Sequence, residues 1–291
     1  MKIAFFGTPR FAQIVLEKLI DSPLRPQLVV TGPDAKAGRG QKPQESPVKQ
    51  IAVENHIKIL QPINLESLKS QVSSLKSDLA ILVAYGKIIP KDILSLPRYG
   101  FVNVHPSLLP KYRGPSPIQS AILAGEEKTG VTIMLLDEKI DHGPILAQKV
   151  VAIEPKDTHA TLIEKLGIIG SDLLIEVLPY YMAQDLKAKS QDHKKATFTK
   201  HINKKDSQID LKNPPDPQTF DRLIRAYYPW PTVWSKFSVN RKQLIVKFLP
   251  GNLIQPEGKR VMTLSEFKNG YPNLSEKISN LINLTNSRIR M

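Results

Sequence analysis

The residues best suited to chemistry in this chain are Asn103 and His105, which lie two positions apart at the end of a short apolar run. Residues two apart on a β-strand point to the same face, so both side chains should meet one partner. The next apolar run is followed by a loop that carries Asp137, Glu138 and Asp141, and each of these could supply a carboxylate. An amide, an imidazole and a carboxylate can together stabilise an oxyanion and move a proton, as acyl transfer without a covalent nucleophile requires. A histidine at a strand end is also often structural, and spacing alone leaves both interpretations open.

An open α/β sheet would bring these side chains together. The apolar patterns over residues 2–31 predict a strand, a helix and a second strand, which form a βαβ unit with a parallel sheet. The turn after the first strand offers only Gly7, so the three-glycine fingerprint of dinucleotide binding is absent from this turn. Other predicted elements are strands over 79–85, 101–104, 131–136 and 145–153 and a helix over 160–178. Active sites of such sheets lie at the carboxyl ends of the strands, where residues 103–105 fall.

Composition excludes several classes of site. The 291 residues include no cysteine, which rules out disulfides, thiolate zinc sites and iron–sulfur clusters. The six histidines are scattered, and their spacing predicts no metal site. The first predicted strand follows Met1 directly, and the apolar runs are shorter than the 18 or more residues of a membrane-spanning helix. We therefore expect a cytoplasmic protein without a signal peptide and without membrane contact.

Charge divides the chain unevenly. Residues 1–186 carry 21 basic and 19 acidic residues, whereas residues 187–291 carry 20 basic and 8 acidic ones. A nearly neutral part followed by a strongly basic part suggests catalysis in the first and polyanion binding in the second. Residues 187–205 hold seven lysines and one acidic residue, which predicts a basic linker. The predicted organisation is a catalytic domain over 1–186, this linker, and a small β-containing domain over 206–291.

Two segments resemble one enzyme family. VNVHPSLLPKYRG at 102–114 and TGVTIMLLDEKIDHG at 129–143 are similar to the motifs of formyltransferases that use 10-formyltetrahydrofolate. The resemblance implies a Rossmann-like catalytic domain, a small OB-like β domain and a catalytic set of Asn103, His105 and Asp141. It also implies that the folate is a cosubstrate, that no metal is needed, and that the protein is a monomer. The folate-binding residues that it implies are Ala84, Tyr85, Gly86, Ile88, Ser107, Leu108, Leu109 and Pro110.

Other segments resemble the branch of this family whose acceptor is methionyl initiator tRNA. They are GTPRFA at 7–12, PDAKAGRG at 33–40 with SPVK at 46–49, PSPIQSAI at 115–122, and IRAYYPWPTVW at 224–234. The resemblance implies that the insert after the second strand contacts the acceptor stem and that the basic linker follows the phosphate backbone. The tRNA-binding residues that it implies are Lys36, Arg39, Lys42, Lys194, Lys195, Lys204 and Lys205.

The C-terminal part departs from the family pattern. Only two convincing strands, near residues 233–239 and 243–249, lie between Trp234 and Pro256, so the OB-like domain is predicted to be shortened. A terminal helix is predicted over 274–284. Two alternatives use the same fold: a nucleotide-amino-sugar N-formyltransferase with the same donor, and a catalytically inert RNA-binding protein. The basic C-terminal part and the insert at 33–49 argue against the first, and the complete set of Asn103, His105 and Asp141 argues against the second.

Overall fold

The computed structural model describes residues 1–37, 42–64, 69–70, 73, 76–239, 242–272 and 274. The chain forms two compact units. The first contains residues 1–117, 128–152 and 162–200, and the second contains residues 118–127 and 153–161 with the described residues from 201 onward. The units therefore interleave along the sequence, whereas the sequence predicted three consecutive segments.

A seven-stranded sheet forms the first unit. The strands up to residue 152 are β1 (Ile3–Gly7), β2 (Leu28–Val30), β3 (Ala35–Ala37), β4 (Lys42–Gln44), β5 (Lys58–Leu60), β6 (Leu79–Val83), β7 (Phe101–His105), β8 (Lys128–Leu135) and β9 (Ile145–Ala152). The sheet order is β5-β2-β1-β6-β7-β8-β9, and β3 and β4 form a separate hairpin. The first five strands of this order are parallel, as the βαβ pattern predicted. Strands β1, β2 and β7 are buried along their whole length, as expected of central parallel strands, whereas the edge strand β5 is partly exposed. Strands β8 and β9 are antiparallel to their neighbours, so the complete sheet is mixed.

The helices up to residue 182 are α1 (Arg10–Ile20), α2 (Pro47–Glu54), α3 (Lys91–Leu94), α4 (Pro117–Ala124) and α5 (His159–Met182). Helix α4 falls almost entirely in the second unit, and the other four lie largely in the first. Ser46 caps the N-terminus of helix α2, because its hydroxyl accepts a hydrogen bond from the backbone of Lys49. Helix α5 carries Gly170 where it faces the sheet, and a Cβ there would lie 2.9 Å from Val104 and 3.0 Å from Val131. The absent side chain therefore lets the helix lie close against β7 and β8.

The second unit contains a four-stranded antiparallel sheet. Its elements are α6 (Pro217–Ala226), β10 (Val233–Val239), β11 (Lys242–Leu249), β12 (Leu253–Pro256), β13 (Met262–Thr263) and α7 (Leu264–Gly270). Phe220, Phe248 and Phe267 are fully buried in its core. The sequence predicted β10 and β11 but not β12 and β13, which are too short to show an alternating pattern. The small β domain is thus confirmed, whereas the helix predicted over 274–284 lies outside the described residues except for Leu274. No helix among the described residues is long and apolar enough to cross a membrane.

Candidate active site

Strand β7 presents Asn103 and His105 side by side at the carboxyl end of the sheet. Both residues are buried. The Asn103 side-chain nitrogen donates to Asp141 Oδ1 at 3.3 Å, and His105 Nδ1 lies 3.6 Å from the same oxygen. The amide, imidazole and carboxylate expected from the sequence therefore meet at one point within the first unit.

Asp141 is fixed by the loop that follows β8. Its backbone has φ of 48°, a left-handed conformation that is uncommon for residues other than glycine and that asparagine and aspartate adopt more often than most. The second carboxylate oxygen accepts a 2.7 Å hydrogen bond from the backbone of Gly114. The carbonyl of Asp141 accepts from the Gln191 side chain at 2.9 Å, and the same amide nitrogen donates to the Gly143 carbonyl at 2.7 Å. The carboxylate is thus held by groups from two other segments of the chain.

The two competing carboxylates of this loop are engaged elsewhere. Asp137 Oδ2 lies 2.6 Å from His142 Nδ1, and Glu138 forms an ion pair with Lys91 at 2.7 Å. Asp141 is therefore the member of the loop that reaches Asn103 and His105. Among the described residues, no group of three or more His, Cys, Asp or Glu side chains is arranged to hold a metal ion.

The histidine has protein neighbours on both ring nitrogens. His105 Nε2 lies 3.0 Å from the carbonyl oxygen of Tyr112, and Nδ1 faces Asp141. A carbonyl oxygen only accepts hydrogen bonds, so Nε2 carries a proton in this arrangement. A direct bond from Nε2 to a substrate oxygen would have to replace the bond to Tyr112.

The loop after β7 contains part of the predicted folate segment, and much of it is internally hydrogen-bonded. The Ser107 hydroxyl donates to the Lys111 carbonyl at 2.7 Å. The Thr132 hydroxyl donates to the Ser107 carbonyl and accepts from the Leu109 backbone, and Gln148 donates to both Thr132 and the Leu109 carbonyl. The side chains of Ser107 and Leu109 are buried, so they shape the loop from within. The other two predicted residues of this segment, Leu108 and Pro110, are half-buried.

The other predicted folate segment follows β6. Ala84, Gly86 and Ile88 are exposed, whereas Tyr85 is buried with its ring edge-on to Phe6 at 5.6 Å. Burial raises the pKa of Tyr85 to about 12, and its hydroxyl has no hydrogen-bond partner among the described residues. This segment thus presents exposed residues on either side of the buried Tyr85 ring.

Behind Asp141 lies a network that the sequence did not predict. Arg113 is buried, and its Nη2 donates to the side-chain oxygen of Gln191 at 2.7 Å and lies 2.9 Å from His193 Nδ1. Burial lowers the pKa of Arg113, while the charge of Asp141 opposes that shift. The His193 ring stacks on His142 at 3.9 Å between ring centres. Gln191 therefore connects the buried guanidinium to the backbone of the Asp141 loop.

The stretch predicted as a basic linker pairs with the site loops up to residue 200. Lys189 forms a bridge with Ile145, and Phe198 forms a parallel bridge with Arg113. Gln191, in the same stretch, is buried, contrary to the expectation from its lysine-rich surroundings. Residues 187–200 thus belong to the first unit and hold the loops that carry Arg113 and Asp141.

Comparison with known proteins gives the family. The sequence pattern described as formyl transferase matches residues 1–178. A methionyl-tRNA formyltransferase of Roseiflexus castenholzii is 43% identical over 240 residues, which is 80% of this chain and 76% of that protein. The chain belongs to the methionyl-tRNA formyltransferase family. A second relative of the same name, from Methylococcus capsulatus, is 38% identical in an alignment of 301 positions, which covers 93% of this chain and 97% of that protein.

Solved structures show the same fold at lower identity. The N-formyltransferase of Helicobacter canadensis, determined with folinic acid and dTDP-3-aminofucose, superposes with a TM-score of 0.62. The two proteins are 20% identical, and the match covers 87% of this chain and 94% of the other. This likeness supports the Rossmann-like catalytic domain with a small β domain.

The predicted tRNA-binding residues are widely spread. Lys36 and Lys42 lie on the β3–β4 hairpin, and Arg39 lies outside the described residues. Lys194 and Lys195 are exposed in a short 3₁₀ turn of the first unit. Lys204 and Lys205 lie in a similar turn of the second unit, where Lys204 Nζ is 5.8 Å from the centre of the Trp234 ring. Each of these residues stays a prediction as a tRNA contact.

Sequence reasoning missed Gln191 and did not assign a role to Arg113. Gln191 lies 50 positions from Asp141, and nothing in its lysine-rich surroundings marks it as buried. Arg113 stood out only as a charged residue in a loop after β7. A buried arginine needs an acceptor, so its burial, if known, would have directed attention to a polar partner.

Proposed function

We propose that this chain transfers the formyl group of 10-formyltetrahydrofolate to the α-amino group of methionine esterified to initiator tRNA. The observation that carries the proposal is the meeting of Asn103, His105 and Asp141 around one carboxylate oxygen at the end of β7. A buried amide, imidazole and carboxylate at one point supply an oxyanion donor and a route for a proton.

The comparisons support the acceptor as well as the donor. The relatives named as methionyl-tRNA formyltransferases are 38–44% identical to this chain over most of its length, whereas the Helicobacter sugar enzyme is 20% identical. That sugar enzyme was determined with folinic acid, which supports a tetrahydrofolate derivative as the donor for this fold. The identity values favour tRNA over an amino sugar as the acceptor.

In the proposed reaction, the neutral amine attacks the formyl carbon and forms a carbon–nitrogen bond. The formyl oxygen becomes negative at that moment. An amide nitrogen carries two N–H bonds, so Asn103 can donate one to Asp141 and the other to this oxygen. Donors aimed at a developing oxyanion in a buried site are typically worth a factor of roughly 10²–10³ in rate.

The bond between the formyl carbon and N10 of the folate then breaks. The attacking nitrogen must lose a proton, and the leaving N10 must gain one. Asp141 lies 3.6 Å from His105 Nδ1, so it can take the proton from the attacking nitrogen directly or through water and orient the imidazole. The protonated form of His105 can deliver a proton towards N10 and donate to the oxyanion, once the bond from Nε2 to Tyr112 is exchanged.

The folate would lie against the exposed residues of the segment after β6, with Ala84, Gly86 and Ile88 outermost. Main-chain groups of this segment would hydrogen-bond the pterin ring, and the 107–110 loop would lie beside it. The lysine-rich surfaces would contact tRNA phosphates, so tRNA affinity should fall steeply with salt. Within the proposal, Lys36, Arg39 and Lys42 contact the acceptor stem, and Arg39 senses its terminal base pair.

The decisive experiment measures formyl transfer from 10-formyltetrahydrofolate to methionyl initiator tRNA, with methionyl elongator tRNA as the matched control acceptor. We expect the initiator to be formylated and the elongator to react much more slowly. Arg39→Ala should reduce this preference more than it changes folate affinity.

Two results would contradict the proposal. Equal rates with both tRNAs would remove the assigned selectivity. Formylation of neither tRNA, with folate binding intact and with transfer to a nucleotide amino sugar, would assign the chain to the sugar alternative.

A further inference from the structure

Phe198 is a large apolar side chain that the structure leaves 72% exposed. Single exposed apolar residues are common on protein surfaces and need no special explanation. The surroundings of Phe198 are unusual, however, because the backbone on both sides of it is bonded to the loop that carries Arg113 and Gly114. An exposed ring on a fixed backbone is already in position for a ligand.

Hydrogen bonds fix this backbone on both sides of Phe198. The Thr197 carbonyl accepts from the Arg113 backbone at 2.9 Å, and the Thr199 backbone donates to the Arg113 carbonyl at 2.7 Å. The Thr197 hydroxyl accepts from the Tyr112 backbone, and the Thr199 hydroxyl accepts from the Ser116 backbone. Because side chains alternate along an extended segment, the Phe198 ring lies on the opposite face from the two threonine side chains, and on the same face as the side chain of its bridge partner Arg113.

The ring lies beside the network that holds Asp141. The guanidinium carbon of Arg113 is 5.9 Å from the centre of the Phe198 ring, and the same guanidinium donates to Gln191. Gln191 in turn donates to the Asp141 carbonyl. The exposed ring is therefore connected to the candidate active site through Arg113 and Gln191, and it does not lie on a remote surface.

The charge around Phe198 is mostly positive. Lys194, Lys195 and Lys200 are exposed within four positions of it, and Asp192 is the single carboxylate of residues 187–200. Surfaces that bind single-stranded nucleic acid combine cationic side chains, which follow the phosphates, with aromatic rings on which bases stack. A pocket for the apolar methionine side chain would require neither an exposed ring nor the surrounding lysines.

We propose that Phe198 is a stacking platform for an unpaired base at the 3′ end of the aminoacyl-tRNA. The inference rests on the proposed function, because only a tRNA acceptor brings unpaired nucleotides to this site. Methionine is esterified to the 3′ terminal nucleotide, so the unpaired end must pass the loops around Asp141. A base stacked on Phe198 would fix the path of that end as it enters.

The test compares tRNA affinity of the full chain with Phe198 changed in three ways. Phe198→Ala removes the ring, Phe198→Leu keeps an apolar cover over Arg113 without a π-face, and Phe198→Trp keeps a π-face. The ligands are methionyl initiator tRNA, the same tRNA without methionine, and the uncharged tRNA that also lacks its unpaired 3′ nucleotides. Tyr180→Ala serves as the matched control, because Tyr180 is another exposed aromatic residue of the first unit.

Alanine and leucine should each weaken binding of the full-length tRNA by about 5- to 150-fold, the range measured for loss of one base-stacking contact. Tryptophan should retain affinity, and none of the three changes should alter binding of the shortened tRNA. The KM for 10-formyltetrahydrofolate should stay constant, and Tyr180→Ala should behave as the wild type. Thermal unfolding checks that each variant remains folded.

Other results would overturn the inference. Unchanged affinity in Phe198→Ala, or equal loss for the full-length and the shortened tRNA, would show that no base stacks there. Loss of kcat with unchanged tRNA affinity would assign Phe198 a structural role as a cover for Arg113. If the wild type neither binds nor formylates methionyl-tRNA, the proposed function fails and this inference fails with it.

Discussion

The candidate active site combines two regions that are held in place in different ways. Asn103 and His105 lie on β7, where pairing with β6 and β8 dictates which way each side chain points. Asp141 lies on a loop in a left-handed conformation, and its position depends on Gly114 and Gln191. The strand-borne pair is therefore fixed by the sheet itself, whereas the loop-borne carboxylate depends on contacts from two other segments. Substitutions in the contacts that hold the Asp141 loop should misplace the carboxylate without disturbing Asn103 and His105.

The largest expected effect is on the strand-borne pair. Asn103→Ala and His105→Ala should each reduce formyl transfer by at least 10²–10³, because each removes a group assigned to the developing oxyanion. Steady-state kinetics with methionyl initiator tRNA measures this. Exposed residues of the same types give the controls Asn213→Ala and His201→Ala. Near-normal turnover of both folded site variants would refute the catalytic assignment.

The next largest effect is expected from substitution of Gln191, which supports the loop that carries Asp141. Gln191→Ala removes the donors to Asp141 and Gly143 and the acceptor of Arg113, so kcat should fall by roughly 10- to 100-fold with little change in KM, as misplacement of a catalytic group predicts. Gln191→Glu keeps the acceptor for Arg113 but loses the donors. Compared with Gln191→Ala, Gln191→Glu should restore more of the lost free energy of unfolding than of the lost kcat.

Gln243→Ala, at an exposed position of the second unit, is the matched control for Gln191. A parallel loss of stability and rate in both Gln191 variants would mean that Gln191 serves only the fold.

A smaller effect is expected at Thr132, which supports the loop after β7 from the neighbouring strand. Thr132→Val keeps the shape of the side chain but leaves the backbone N–H of Leu109 without its acceptor. The free energy of unfolding should fall by about 1–3 kcal/mol, the cost of a buried polar group without a partner. Urea unfolding and folate titration measure stability and affinity. An unchanged folate affinity would separate this loop from the donor site.

At neutral pH the smallest effect is expected at His159, which lies outside the site at the start of α5. Burial lowers its pKa to about 4, and its Nδ1 has no hydrogen-bond partner among the described residues. Between pH 6.5 and 4 the unfolded chain binds the proton more readily, so stability is greatest above 6.5 and falls as the pH drops towards 4. The slope is at most about 1.4 kcal/mol per pH unit.

His159→Gln should flatten this dependence in unfolding curves taken from pH 7 to pH 4. The pH dependence of activity in this variant, compared with that of the wild type, would then distinguish activity lost by acid unfolding from activity lost by titration of the site residues. An identical pH dependence in the variant would show that another group titrates.

The difference between the two regions also explains what the sequence could predict. The apolar runs of β6 and β7 and the two-residue spacing of Asn103 and His105 are local patterns, and the structure places them as expected. The choice of Asp141 over Asp137 and Glu138 could not follow from spacing, because three carboxylates share five positions. That choice came from the family resemblance and depends physically on a backbone conformation and on distant hydrogen bonds.

Non-local pairing accounts for the remaining differences. Composition marked residues 187–205 as a solvated linker, because lysine-rich stretches rarely have buried members. Gln191 is buried through hydrogen bonds to segments far away in the sequence. Strands β12 and β13 have four and two residues, too few to show an alternating pattern. In each case the deciding contacts come from outside any local window.

Gly170 restricts how this chain can be engineered. It lies on α5 against Val104, the residue between Asn103 and His105. A methyl group at Gly170 would therefore displace β7 from the face opposite to these two side chains. Such a displacement would reach both members of the pair without touching any residue that faces the substrate. Libraries that diversify the outer helices should therefore keep this position constant, and deleterious variants recovered at residue 170 should be judged by turnover as well as by solubility.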